Sequence, residues 1–196
     1  MPPERRREQL LDAALRVIIA HGYEGVSIES IARTAGVTRP VIYDHFPNLA
    51  SLLQALIERE EHLALQQLAT VVPETPSGRG QPAELFAAGV RRFLDAVAIR
   101  PDTWRVILLP PEGTPVTVRE HVEINRRAVQ GRIEAVVRWA IAATDIREDL
   151  DVELTARAIR SLSEEAGRQI LTDPENFSPE RYERFVLAIM KLIWVR

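Results

Sequence analysis

Apolar residues return every three or four positions in segment after segment of this chain, and nowhere alternate long enough for a half-buried strand. Leu11, Ala14, Leu15 and Ile18, for example, fall at i, i+3, i+4 and i+7. That spacing lays one apolar stripe along a helix, and without a sheet such a stripe can be buried only against other helices. The expected fold is therefore all-α, with about nine helices. A length of 196 residues is enough to bury a sizeable core.

Local signals punctuate the helices. Gly22 stands where a C-terminal cap belongs, and Ser27 precedes the apolar positions Ile28, Ile31, Ala32 and Ala35 as an N-cap. Gly36 closes that short helix. Thr38 opens the next, with Pro40 in its first turn, where a missing N–H costs little, and Pro47 ends it. A long amphipathic stretch follows over 49–71, with Leu52, Leu53, Leu56, Ile57, Leu63 and Leu68 on its buried side. Residues 73–82, PETPSGRGQP, read as an exposed, disordered loop. Further helices are expected over 83–99, from Pro101 to Pro110, from Thr117 to Ala143 with Glu120 completing a capping box, from Asp151 to Leu171, and from Ser178 onward.

Several function classes are excluded early. There is no cysteine, hence no disulfide, thiolate metal site or cysteine nucleophile. His21, His45, His62 and His121 form no HExxH or closely spaced pair, and Glu58 with His62 reads as a solvated pair. No GxSxG, P-loop or dinucleotide fingerprint occurs. No catalytic residue, metal site or cofactor is therefore assigned. No apolar run reaches the ~18–20 residues that cross a bilayer, and the N-terminus lacks a signal-peptide core. The expectation is a cytoplasmic protein with no membrane partner. A net charge of −3 confines any nucleic-acid binding to a local patch.

Residues 27–46 read SIESIARTAGVTRPVIYDHF, two short helices joined by a tight turn at Gly36. This is helix-turn-helix geometry, in which the second helix enters a DNA major groove. Its free side carries Thr38, Arg39, Val41, Tyr43, Asp44 and His45. Arg39 can reach guanine O6 and N7 in bidentate fashion, and Val41 can touch a thymine methyl. Thr38, Tyr43 and His45 carry donors for phosphate oxygens, and Ser27 at a helix N-terminus suits another phosphate. Arg5, Arg6 and Arg7 precede the first apolar stripe and read as an arm for phosphates or a minor groove.

Those residues resemble the TetR family of bacterial transcriptional regulators. The likeness rests on Ser27, Ile31-Ala32, Ala35-Gly36-Val37-Thr38 and Ile42-Tyr43-Asp44-His45-Phe46, and spans about 45 N-terminal residues. It implies that Thr38, Tyr43, His45 and Ser27 contact phosphates and that Arg39 and Val41 stand at base-reading positions. Three positions depart from the family's common pattern. Pro40 stands where glycine is frequent, Val41 where threonine is frequent, and Leu49 where a lysine is frequent. The last removes one phosphate contact. Residues 1–47 also hold six arginines against six acidic residues, so a binding face must segregate its charges.

The domain division expected is 1–47 for DNA reading and 48–196 for dimerisation and effector binding. The resemblance implies a homodimer formed through the last two helices, a double-stranded DNA operator as partner, and a small-molecule effector. The residues agree with the first of these. The segment 178–195 is apolar around much of its circumference, including Phe185, Ile189, Leu192 and Ile193. In 151–171, Ala158, Leu162 and Ala166, with Gly167, allow close helix approach. The effector candidates are Phe86, Phe93, Trp104 and Leu108 as apolar walls, with His121, Asn125, Glu164 and Arg168 as polar groups. Such walls suit an apolar or aromatic molecule. The expected function is a TetR-like repressor released from a palindromic operator by that effector. The alternative is a helical ligand- or partner-binding protein whose reading head is vestigial.

Overall fold

The computed structural model describes residues 2–71, 82–110, 114, 116–143 and 150–194. Among these are nine α-helices and no strand. They are α1 (Pro3–His21), α2 (Ile28–Ala35), α3 (Arg39–Tyr43), α4 (Leu49–Val71), α5 (Pro82–Ile99), α6 (Pro101–Leu108), α7 (Val116–Ala143), α8 (Val152–Thr172) and α9 (Pro179–Trp194). The all-α expectation holds. The loop read over 73–82 lies outside the described residues, apart from Pro82 at the start of α5.

Three local features differ from the reading of the sequence. A single 3-10 turn, Tyr23–Gly25, stands between α1 and α2. α1 begins at Pro3, with proline in its first turn, so Arg5, Arg6 and Arg7 lie on a helix rather than on an extended arm ahead of it. α3 ends at Tyr43, and residues 44 and 45 continue as a turn, with Asp44 N–H donating to Pro40 O and Phe46 N–H to Ile42 O.

The chain packs as two compact units. One comprises 1–64 and 102–122, the other 65–101 and 123–196. In the first, Leu10, Leu11, Ala14, Leu15 and Ile18 of α1 pack with Ile31 and Ala32 of α2, Ile42 of α3, Phe46, and Leu52 and Leu56 of α4. Each fully buried leucine, isoleucine or phenylalanine among them contributes roughly 1.5–3 kcal/mol. In the second unit, Val90, Phe93, Leu94 and Val97 form the buried side of α5, which packs against α8 and α9. Ile133 and Val137 of α7 pack on Ala156 of α8. Arg91 of α5 meets Glu180 at 2.5 Å and Glu183 at 3.0 Å, both on α9, and Asp95 at 3.0 Å on its own helix.

Candidate nucleic-acid interface

α2 is defined at both ends by side-chain and backbone chemistry that can be traced to single residues. At its start, Ser30 N–H donates to Ser27 Oγ (3.0 Å) and Ser27 N–H donates back to Ser30 Oγ (2.9 Å). This is a reciprocal capping box with serine in the place usually held by glutamate. At its end Gly36 is left-handed, φ 67°, and lets Val37 N–H reach Ala32 O at 3.0 Å. The chain then reverses into α3, with Thr38 at its N-cap, where the hydroxyl makes no capping bond.

Ile42 and Phe46 are buried in the core of the first unit and fix which side of α3 turns inward. The opposite side presents Thr38, Arg39, Pro40, Tyr43 and Asp44 to solvent, with Tyr43 about half exposed (49%). Val41 and His45 lie at the edge of that face, partly buried. The folded chain thus gathers Thr38, Arg39, Val41, Tyr43 and His45 on one short, outward-facing helix and the turn that follows it. Ser27 is exposed at the start of α2, although its hydroxyl is engaged in capping.

The arginines of α1 have distinct surroundings. Arg5 is exposed. Arg6 donates to Gln9 Oε1 at 2.8 Å. Arg7 stacks its guanidinium 4.3 Å above the Phe46 ring and donates to His45 O at 3.4 Å. Leu49, where the family often has lysine, is partly buried against the core of the first unit, so that position serves packing here.

Charge segregation has a visible cause. Arg59 of α4 pairs with Glu8 and Asp12 of α1, each at 2.8 Å, and with Glu60 at 2.7 Å. Two of the acidic residues of α1 are thereby neutralised. Burial alone would lower the Arg59 pKa. Hydrogen bonds to Glu8 and Glu60, with the fields of Glu60 and Asp12, outweigh it and hold the guanidinium above its ordinary value. Glu60, only 3% exposed, also accepts from Thr103 Oγ1 of α6 at 2.5 Å. Sequence reasoning missed this network. Its signal was present, because Glu60 continues the Leu52–Leu56 stripe at i+4 and so had to be buried. Gln9, whose Nε2 donates to Ala35 O at 2.8 Å, carried no comparable signal.

The effector candidates are divided between the units. Trp104 and Leu108 are buried on α6 in the first; Phe93 is buried and Phe86 partly buried on α5 in the second. Asn125 is partly buried on α7, and the His121 side chain lies outside the described residues. Glu164 stands among three arginines, Arg160 at 2.8 Å, Arg126 at 3.3 Å and Arg168 at 3.9 Å. A cavity of about 20 Å³ in the first unit is lined by residues that include Leu15, Ile18, Leu56 and Val106. None of the eight candidates lines it, and its size suits little more than water. Of the dimer candidates, Leu162 (72% exposed), Phe185 (58%) and Ile189 (38%) leave apolar surface open on α8 and α9. Ala158 is exposed as well. Ala166 is instead buried within its own unit, which corrects its reading as a surface for a second copy. The side chains of Leu192 and Ile193 lie outside the described residues.

Comparisons with known proteins agree with this geometry. Residues 10–56 match the sequence profile of the bacterial regulatory proteins, tetR family. The HTH-type transcriptional activator FasR of Mycolicibacterium smegmatis is 28% identical over 128 residues, 65% of this chain and 57% of that protein. The chain thus spans little more than half the length of that curated relative. A TetR-like transcriptional regulator from Rhodococcus sp. RHA1 has the same fold over 100% of both chains, with a TM-score of 0.78 at 20% identity. FadR from Bacillus subtilis, a transcriptional regulator solved in complex with stearoyl-CoA, superposes with a TM-score of 0.70 at 20% identity, covering 93% of this chain and 96% of that one. Among the described residues no helix is long and apolar enough to cross a membrane. The N-terminal segment, residues 10–56, is thus similar to the bacterial regulatory proteins of the tetR family, and the fold behind it is similar to that of TetR-like regulators.

Proposed function

We propose that this protein is a homodimeric transcriptional regulator that holds a near-palindromic operator in double-stranded DNA and is a repressor released by a small apolar effector. The observation that carries the reading is the outward face of α3, set by buried Ile42 and Phe46 behind it. A helix presented this way fits the ~12 Å major groove. In that groove Arg39 reads a guanine, and Val41 contacts a thymine methyl. Thr38, Tyr43 and His45, with Ser27, Arg5 and Arg6, hold phosphates and set the register.

One α3 reads only a half-site. Two copies joined through the apolar surface of Leu162, Phe185 and Ile189 present two, with centres ~34 Å or a multiple apart. The effector acts as a population shift between two spacings of the reading heads. Phe86 and Phe93, both in the second unit, supply apolar side chains for it. A long-chain acyl-CoA, whose acyl tail is its apolar part, is the first molecule to test, because the fold neighbour FadR was solved with stearoyl-CoA. This reading places the protein in the cytoplasm and requires no enzymatic turnover, metal or cofactor.

Fluorescence anisotropy against DNA from the gene's own upstream region, followed by selection from genomic fragments, tests it. Saturable binding with a steep salt dependence, released by stearoyl-CoA, is the expected result. An empty selection is the result for a vestigial reading head. Transcription that rises when the protein binds makes it an activator.

A further inference from the structure

A five-residue helix is too short to hold its own place. It closes only one or two hydrogen bonds of its own, and isolated helices of this length are unstable in water. α3 must therefore be positioned by what surrounds it. Ile42 on α3 and Phe46 in the segment after it decide which side faces inward, but one buried side chain on a five-residue helix leaves its rotation and tilt underdetermined.

Two further constraints come from the first turns of α1, and they bracket α3 in sequence. The first precedes it. Gln9 Nε2 donates to the carbonyl of Ala35, the last residue of α2, at 2.8 Å. The final carbonyls of a helix lack intrahelical partners, so this bond satisfies an orphan and ties the start of the turn to α1. The amide of Gln9 is itself oriented, because Arg6 donates to its Oε1 at 2.8 Å. The second constraint follows α3. Arg7 lies 4.3 Å over the Phe46 ring and donates to the carbonyl of His45. Phe46 is 1% exposed, and the Arg7 guanidinium covers one face of its ring.

We propose that Arg7 and Gln9 are positioning residues for DNA readout, fixing the orientation of α3 from α1. The sequence placed Arg7 with Arg5 and Arg6 as a DNA contact. Arg7 is exposed, yet its guanidinium lies over the Phe46 ring and reaches the His45 carbonyl at 3.4 Å rather than extending free. This inference rests on the proposal that α3 reads DNA, and it adds what sets the accuracy of that reading. Base readout needs side-chain atoms placed to within a fraction of an ångström, whereas phosphate attraction tolerates misplacement. Loss of a positioning residue therefore lowers the preference for operator over other DNA and leaves the salt dependence intact.

The test uses the full chain as wild type, Gln9→Met, Arg7→Ala and Arg7→Met. Gln9→Met keeps shape and neutrality but removes the donor to Ala35. Arg7→Met keeps a flexible cover over Phe46 but removes the charge. Anisotropy is measured across salt on selected operator and on scrambled DNA. Gln9→Met and Arg7→Ala are expected to lose about five- to tenfold in the ratio of operator to scrambled affinity, with the salt slope unchanged. Arg7→Met, which keeps the cover over Phe46 but lacks the charge and the carbonyl bond, is expected to recover part of that ratio. Equal weakening of both DNAs by Arg7→Ala and Arg7→Met, with a salt slope lower by about one, makes Arg7 a phosphate contact and overturns its part of the proposal. An unchanged ratio in Gln9→Met overturns the other part. Hydrogen exchange on the DNA-free protein supplies a second arm. Amides of Val41 to Phe46 exchange about tenfold faster in Gln9→Met and Arg7→Ala while those of α1 do not, if the two residues hold α3. Exchange unchanged in both variants sinks the proposal whether or not DNA binds. Absence of wild-type binding, by contrast, sinks the DNA-reading proposal and leaves the exchange arm to decide this one.

Discussion

Arg39 and Pro40 open α3 with their side chains in solvent, and only Arg39 among the exposed residues of that helix is a cation. Arg39→Ala is expected to cost roughly 1–3 kcal/mol on operator DNA and to relax specificity at one base pair, read by anisotropy on single-base variants. Two glycines make a contrasting pair. Gly36 has φ +67° with nothing within 4 Å of an added Cβ, so Gly36→Ala costs only the left-handed backbone, about 1–2 kcal/mol. At Gly25 an added Cβ meets His21 Cβ at 2.6 Å, an atom fixed to the end of α1. Gly25→Ala must therefore displace the 3-10 turn, and thermal denaturation is expected to show it at least as destabilised as Gly36→Ala. The special role of Gly36 was legible from its place after a short apolar run. That of Gly25 was not, because the clash depends on where the 3-10 turn sets it against α1.

Between elements of the first unit, a polar link runs from Glu8 and Asp12 on α1 through Arg59 and Glu60 on α4 to Thr103 on α6. Removing Arg59 alone strands a buried carboxylate. Arg59→Met is expected to cost about 3–5 kcal/mol in urea denaturation. The double variant Arg59→Met/Glu60→Met is expected to recover most of that loss, because no buried charge is left. In the second unit, α5 and α9 are linked by Arg91. The Glu180 carboxyl is held below its ordinary range by its own backbone amide and the Ser178 hydroxyl, with Arg91 adding to them. A depressed folded value adds stability above the unfolded pKa of ~4.3, and that stability is lost as pH falls through the folded value. Acid titration of unfolding should accordingly fall less steeply below pH ~4 in Glu180→Gln than in wild type. The helices themselves were legible from apolar spacing and caps. The salt links between them were not, since pairs such as Arg91 and Glu180 lie far apart in sequence.

For the molecule as a whole, the open apolar surface of Leu162, Phe185 and Ile189 bears on assembly. A charge placed there has to be buried unpaired if two copies meet through it. Phe185→Glu and Leu162→Glu are expected to give monomers in sedimentation velocity at concentrations where wild type is a dimer, and to weaken operator binding with α3 untouched. Sedimentation unchanged by both substitutions removes this surface from the dimer.

The all-α class, the ends of most helices and the helix-turn-helix are legible in the residues alone. These rest on short-range physics: apolar spacing of three to four, serine and aspartate caps, glycine and proline stops. The sequence also marked the outward residues of α3, because Ile42 and Phe46 had to turn inward. Packing was needed to place Arg5, Arg6 and Arg7 on a helix, Arg7 over Phe46, and Glu60 in the interior beside Arg59 and Thr103. It alone placed Ala166 inside its unit and left Leu162 outside. A charged side chain reads the same in sequence whether solvated or paired, and its partner is chosen by packing between segments that no local spacing connects.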